Sequence, residues 1–255
     1  KTDHDNKIDW NWIKDRRDPS IEKENINKRA PKAWKKWVRN GTSELNDYKQ
    51  KIRHYDVSTK EEQVSELEKH HEMILDKIKE EYFNSQEKGR FEALASLAAS
   101  VYFGDGNYTR GWITQHSGDM GVDFIGRLKI FNQSIPNPKG TVLGQTSILV
   151  LGQAKCRDDY HKVHENARDI ARVASRLKRG NMGIFITTGT YSPATQHEVM
   201  LDGYPIILIN GRQLADLINA YSIKTGKTID EILEECNKYY YSNQSDKPPE
   251  HILRD

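Results

Sequence analysis

The second half of the chain repeats one pattern, a short apolar run followed by an amphipathic segment. The runs are "ILVLGQAKC" (148–156), "MGIFITT" (182–188) and "PIILIN" (205–210). Each is too short for a helix and rich in β-branched or aromatic residues, so each reads as a strand. A helix is expected from Tyr160 to Lys178, another opens at Ser192-Pro193, and a third starts at Arg212. Upstream, "GWITQH" (111–116) and "VDFIGRLKI" (122–130) read as strands too, with residues 131–147 a loop carrying Pro136, Pro138, Gly140 and Gly144. Strands alternating with helices bury both faces of a sheet. The expected class is α/β, with a mixed β-sheet flanked by helices and preceded by a helical N-terminal region.

That N-terminal region is expected over 1–88. It opens irregular and polar, and holds Trp10, Trp12, Trp34 and Trp37, four of the five tryptophans. They could stack on bases, but packing within a small helical subdomain is the favoured reading. A long helix is expected from Ser58, where Ser58 and Glu61 fit a capping box. Val64, Leu67, His71, Ile74 and Ile78 then form a narrow stripe, read as packing against the same chain or against a second subunit. Gly89 breaks this helix, and Phe91, Leu94, Ala95, Ala98 and Val101 begin the next. The αβ core is expected over 89–222. A C-terminal helix opening on the Thr228–Glu231 capping box, with a loose tail, is expected over 223–255.

Bulk properties exclude some classes. The 255 residues carry a net charge of +2 and a mean hydropathy of −0.83. No apolar run approaches the ~18 residues of a membrane span, so no membrane partner is expected. A whole-chain electrostatic field is also excluded, and any nucleic-acid contact must come from a local patch. Two cysteines, Cys156 and Cys236, provide no disulfide framework. The expected setting is the reduced cytoplasm.

The run "ILVLGQAKC" ends oddly for a buried strand. Side chains alternate across a strand, so Leu149, Leu151, Gln153 and Lys155 share one face. By the same alternation Asp123 points away from Val122 and Phe124. If the two strands pair, an acid, an amide and an ammonium meet. A lysine at a strand end also snorkels to water without any function, and a Gln can satisfy a backbone edge. As a site, however, the cluster has specific chemistry. Carboxylate and amide oxygens suit Mg²⁺, a bound water then loses a proton more readily, and a lysine neutralises charge on a phosphate.

Five stretches in series carry a resemblance. "GRFEALASLAASV", "TRGWITQHSGDMGVDFIGRL", "LVLGQAKC", "GIFITTGTYSPATQHEV" and "YPIILINGRQLADLI" together resemble the catalytic domain of Mrr-like restriction endonucleases. This is a PD-(D/E)xK nuclease branch in which Gln replaces the second acid. "WNWIKDRRDPS", "APKAWKKWVRNG", "TRGWIT" and "GQAKC" are further similar to the C-terminal half of modification-dependent enzymes of the MspJI type. The resemblance implies a PD-(D/E)xK core and a bacterial or archaeal type II/IV-like restriction endodeoxyribonuclease. It implies Mg²⁺ as cofactor and double-stranded DNA as partner, cut where it contains 5-methylcytosine. Asp123 would bind metal with Gln153 and the Ala154 carbonyl, Lys155 would be the catalytic lysine, and Glu92 would support the metal site. Asp119 is a weaker candidate, read equally well as a turn cap. Cutting both strands implies a homodimer or higher oligomer. Such enzymes carry an SRA-like reader, and no segment of that length precedes residue 60; the expectation is that it has been cut away or is lacking.

A gripping surface is expected on the helix after Lys155. Arg168, Arg172, Arg176 and Arg179 recur on one face, opposite Ile170, Val173, Ala174 and Leu177. A solvated face explains such a row, and so does phosphate contact. His161, His164 and Glu165 read as a polar helix start rather than a metal site. Two rival functions stay open: an orthodox restriction enzyme reading unmodified sequence, and a catalytically silent DNA-binding or assembly module.

Overall fold

The computed structural model describes residues 57–65, 67–104, 106–114, 121–129, 147–162, 164–178, 180–245 and 247. The N-terminal tryptophans, Asp119 and Arg179 lie outside them. Residues 57–255 form one compact unit.

The chain enters through α1 (Lys60–Ser65) and α2 (Lys69–Ile78), and α2 runs on into a π turn, Lys79–Phe83. The single long helix expected here is therefore two. The cap also sits one residue later than expected: Thr59 and Glu62 exchange backbone hydrogen bonds. The stripe packs within the chain, with His71, Ile74 and Ile78 buried. Both His71 ring nitrogens are used there: Nε2–H donates to Asp216 Oδ1 at 2.7 Å, and Nδ1 accepts the Glu68 N–H at 2.9 Å. After a 3₁₀ turn, Lys88–Arg90, comes α3 (Phe91–Phe103). Gly89 thus sits in a tight turn feeding α3, while the preceding helix has already ended at Phe83.

Two reciprocal amide pairs dock the entering segment. Gln63 donates to the Tyr191 carbonyl at 2.8 Å and accepts the Tyr191 N–H at 2.9 Å. Gln196 accepts the Ser58 N–H at 2.9 Å and donates to the Ser58 carbonyl at 2.8 Å.

The sheet follows: β1 (Tyr108–Thr114), β2 (Phe124–Lys129), β3 (Ser147–Lys155) and short β4 (His164–Glu165). Then come α4 (Ala167–Ala174), β5 (Asn181–Thr187), β6 (Thr190–Tyr191), α5 (Pro193–Asp202), β7 (Ile206–Ile209), α6 (Gly211–Thr225), α7 (Ile229–Ser242) and β8 (Gln244–Ser245). Six strands pair in the order β7-β5-β3-β2-β1-β8, and β4 pairs separately with β6. β7, β5 and β3 are parallel, and β3–β2 and β2–β1 are antiparallel. The sheet is mixed, as expected.

Local chemistry explains the helix starts. Ser192 caps α5 with Pro193 in its first turn, Asn210 and Gln213 make a capping box for α6, and Thr228 and Glu231 make one for α7. One sheet face buries Ile113, Phe124, Val150, Ile184 and Ile186 against α2, α3, α6 and α7. The other buries Val122, Ile125, Leu151 and Phe185, with α4 supplying Ile170 and Val173. The helices before residue 88 and after 223 share the first of these cores with the expected 89–222 region.

The helix expected over 160–178 is the largest difference. Only Ala167–Ala174 is helical, and His164 and Glu165 pair instead with Thr190 and Tyr191. Asn166 caps α4, accepting the Asp169 N–H. Arg168 and Arg172 therefore share an exposed helical face opposite buried Ile170 and Val173, while Arg176 lies beyond the helix end.

Candidate active site

β2 and β3 pair in register, Phe124 opposite Gly152. Asp123, one step before Phe124 and outside the regular ladder, is brought beside Gln153 by its carboxylate, which bonds the Ala154 N–H. Both are buried, at 8% and 2% exposure. Lys155 follows two residues on, on the same face and half-buried.

β2 ends before β3 does, and that mismatch shapes the site. The Asp123 N–H donates to the Gly152 carbonyl at 2.7 Å. Beyond it the Ala154 N–H has no ladder partner on β2, and the Asp123 carboxylate accepts it at 2.6 Å. A strand residue's N–H and C=O face the same edge, so the Ala154 carbonyl also points past the end of β2, toward Asp123. The Gln153 Oε1 is a buried acceptor with no hydrogen bond among the described residues. A buried amide oxygen left unpaired costs about 1–3 kcal/mol. An oxygen-only donor set of one carboxylate, one carbonyl and one unsatisfied amide fits a hard divalent cation.

Gly152 has a steric reason. A Cβ there would lie 2.1–2.3 Å from the Phe124 ring. The phenyl group occupies the space beside the strand, on the face away from Gln153.

Glu92 lies in the first turn of α3 and is buried at 5% exposure. Phe103 at the other end of α3 stacks on Tyr108 at the start of β1, ring centroids 5.3 Å apart. Helix and strand thus run antiparallel, and Arg110 of β1 donates to the Ala93 carbonyl at 2.8 Å. Glu92 therefore lies at the end of the sheet where β1 finishes, β2 starts and β3 stops. Tyr240, beside the β8 strand that pairs there, has its phenol pKa raised by burial and then by the Glu92 charge.

Arg172 approaches Gln153 across Gly121. A Cβ built on Gly121 would lie 3.3 Å from Arg172 Cβ and 3.4 Å from Gln153 Nε2, so the glycine lies between them. Its φ of 88° also favours glycine.

Sequence reasoning missed Glu165, Arg157, Thr187 and Thr188. Glu165 reads as part of a polar helix start, yet it is fully buried, paired with Arg157 and hydrogen-bonded by Thr187. Its bridging to Thr190–Tyr191 is non-local, so no periodicity in the sequence signals it.

The geometry accords with comparisons to known proteins. No curated protein sequence matches the chain. Residues 89–218 match the Mrr catalytic family, described as restriction endonuclease. The MspJI restriction endonuclease, solved in complex with a 27-mer oligonucleotide, is similar at 30% identity with a TM-score of 0.66, over 97% of this chain and 53% of that one. The DNA modification-dependent restriction endonuclease AspBHI shares the fold at 21% identity and a TM-score of 0.56, over 82% of this chain and 49% of that one. This chain thus spans about half the length of either structure. The mixed α/β fold agrees with that match, and the chain belongs to the Mrr-like restriction endonuclease family.

Proposed function

We propose that the chain is a Mg²⁺-dependent DNA endonuclease that cuts double-stranded DNA containing 5-methylcytosine. The observation that carries this reading is the Asp123–Ala154–Gln153 oxygen cluster beside Lys155, with the Gln153 Oε1 buried and unsatisfied. Asp123, the Ala154 carbonyl and Gln153 would hold the metal. A bound Mg²⁺ supplies acidity to a coordinated water and polarises the scissile phosphoryl group.

The chain's own groups do the rest. Ala154 N–H holds the Asp123 carboxylate in place before any substrate arrives, which is preorganisation in the sense that matters for rate. Lys155 donates to the attacking water and to a non-bridging phosphate oxygen, and its positive charge opposes the charge that grows on phosphorus. In-line attack would form the new phosphorus–oxygen bond as the bond to the 3′ oxygen breaks; the attacking water gives up a proton to solvent and the 3′ oxygen takes one from solvent, leaving a 3′ hydroxyl and a 5′ phosphate. Glu92 supports the metal shell from the first turn of α3. Arg168 and Arg172 contact phosphates and fix register without reading bases. The preference for modified DNA rests on the likeness to MspJI and AspBHI, and double-strand cutting calls for two copies of the site, hence an oligomer.

The test is cleavage of supercoiled plasmid in Mg²⁺, with and without cytosine methylation, beside Lys155→Ala. Cutting of methylated plasmid alone, lost in the variant, supports the whole reading. Cutting of both plasmids retains the nuclease and removes the modification preference. Cutting unchanged in Lys155→Ala overturns the mechanism.

A further inference from the structure

Glu165 is a fully buried acid that the proposed chemistry does not use. Its carboxylate takes Arg157 in a two-pronged pair, Nε to Oε1 at 2.8 Å and Nη2 to Oε2 at 2.5 Å. The Thr187 hydroxyl donates to Oε1 at 2.7 Å. These two partners bracket Lys155: Arg157 lies two positions on, and Thr187 is the β5 residue registered against Lys155.

The hydroxyls complete the loop. A threonine has one hydroxyl hydrogen, and in Thr187 it goes to the carboxylate. The same oxygen accepts the Gly189 N–H at 2.9 Å. The Lys155 carbonyl accepts the Thr188 N–H at 3.1 Å, and the Thr188 hydroxyl oxygen accepts the Arg157 N–H at 2.7 Å. Glu165 is anchored in turn, because its carbonyl accepts the Thr195 hydroxyl at 3.0 Å. The main chain from the Lys155 carbonyl to Arg157 is therefore fixed against Thr187 and Thr188, and Arg157 and Thr187 both end on the Glu165 carboxylate.

Fold stability is a poor reason for such a group. Glu165 has no exposed surface while Arg157 keeps 30% of its own, and apolar residues of equal volume often serve stability as well as a buried charge. What the pair provides is direction at the place where the β3 ladder stops. A free strand end frays, and a lysine that must meet a phosphate within a fraction of an ångström does not tolerate fraying.

We propose that Glu165 is a positioning residue that, through Arg157 and Thr187, holds the end of β3 so that the Lys155 ammonium points into the site. This rests on reading Lys155 as the catalytic lysine of the proposed nuclease. The charge pair acts on the backbone, and Lys155 alone touches the substrate.

The test uses the full chain as Glu165→Gln, with Thr187→Val as a second variant that keeps the ion pair. Backbone amide hydrogen exchange reads the hold on Lys155 directly, at Arg157 and Thr188 against Val150 and Leu151 in the strand interior. Glu165→Gln is expected to speed exchange at Arg157 and Thr188 by about tenfold or more while the interior amides keep their protection. Plasmid cleavage in Mg²⁺ or Mn²⁺ should fall by about tenfold or more, with DNA affinity within about twofold of the unsubstituted protein. Thr187→Val should reproduce both effects more weakly, and Glu165→Asp should recover part of the rate. Unchanged exchange at Arg157 and Thr188 overturns the proposal. So does faster exchange throughout the sheet, which marks a structural role only. Cleavage by the unsubstituted protein decides the nuclease reading separately, and the exchange rates decide the hold of Glu165 on Lys155 whatever that result is.

Discussion

The Asp123 carboxylate accepts the Ala154 amide at 2.6 Å, so the acid expected to bind metal is fixed by the peptide unit that separates Gln153 from Lys155. The bond also separates the structural role of Asp123 from its chemical one. Asn in its place keeps an oxygen for the Ala154 N–H and loses the negative charge. Asp123→Asn is therefore expected to shift the unfolding free energy by less than about 1.5 kcal/mol. Divalent-ion binding by titration calorimetry and plasmid cleavage should both fall by about a hundredfold or more. Loss of fold without any change in metal affinity would contradict the assignment.

The unsatisfied Gln153 oxygen makes an opposite substitution informative. Gln153→Glu places a second carboxyl in a buried position beside Asp123. Desolvation and the neighbouring charge both raise the introduced group's pKa above its unfolded value. Its folded form is then favoured at acid pH, and stability falls as pH rises through the ordinary carboxylate range and above. Thermal unfolding of the metal-free variant should show that fall between about pH 4 and 8, and millimolar Mg²⁺ should reverse it. A metal-free melting point independent of pH would show that the two side chains do not meet.

Gly152 tests the packing beneath the site. Alanine at this position would drive a methyl group into the Phe124 ring, 2.1–2.3 Å away. Gly152→Ala should cost about 1–3 kcal/mol in urea unfolding. The double variant Gly152→Ala/Phe124→Leu should recover part of that loss, since touching residues couple. Additive losses would place the clash elsewhere.

One buried and one half-buried thiol set an alkaline limit. Burial pushes both Cys156 and Cys236 up to about 12, from an ordinary value near 9. Above pH 9 the unfolded chain gives up these protons and the folded chain keeps them, so their contribution to stability is complete below pH 9 and is lost as pH rises toward 12. Urea midpoints should drop steadily over that window, and less in Cys156→Ala. Equal slopes in the two proteins would show that the Cys156 thiol ionises freely.

The arginine face predicts a salt effect. Arg168 and Arg172 stand exposed on α4, with Arg172 beside Gly121 and Gln153. Each phosphate contact contributes about 0.9 to the slope of log affinity against log salt. Replacing both with Gln should flatten the slope for duplex DNA by about 1–2. An unchanged slope would make the face merely solvated.

Alternation made the site's three central residues legible. Strand parity placed Gln153 and Lys155 on one face, and Asp123, just outside the β2 ladder, joins them through its carboxylate bond to the Ala154 N–H. Helix caps with strong side-chain signatures, Ser192, Thr228 and its Glu231, were legible for the same local reason. Tertiary partners were not. Residues 160–166 carry helix-like polarity, but Glu165 gains more from Arg157 and Thr187 than a helical turn could give it. The break between α1 and α2 escaped the apolar stripe because the stripe continues across it, with Leu67 still packed on the core. Thr59 outcompetes Ser58 as cap because the Ser58 backbone is already taken by Gln196.

The paired amides at Gln63 and Gln196 have a mechanical consequence. Each grips peptide groups rather than side chains, so the grip tolerates change in the residues it holds. The backbone of Ser58 is held by Gln196, Gln63 holds Tyr191, and Tyr191 is laddered to Glu165. Ser58 is thus joined to the Glu165–Arg157 pair beyond Lys155 by a short run of contacts that grip peptide groups at one end and a carboxylate at the other.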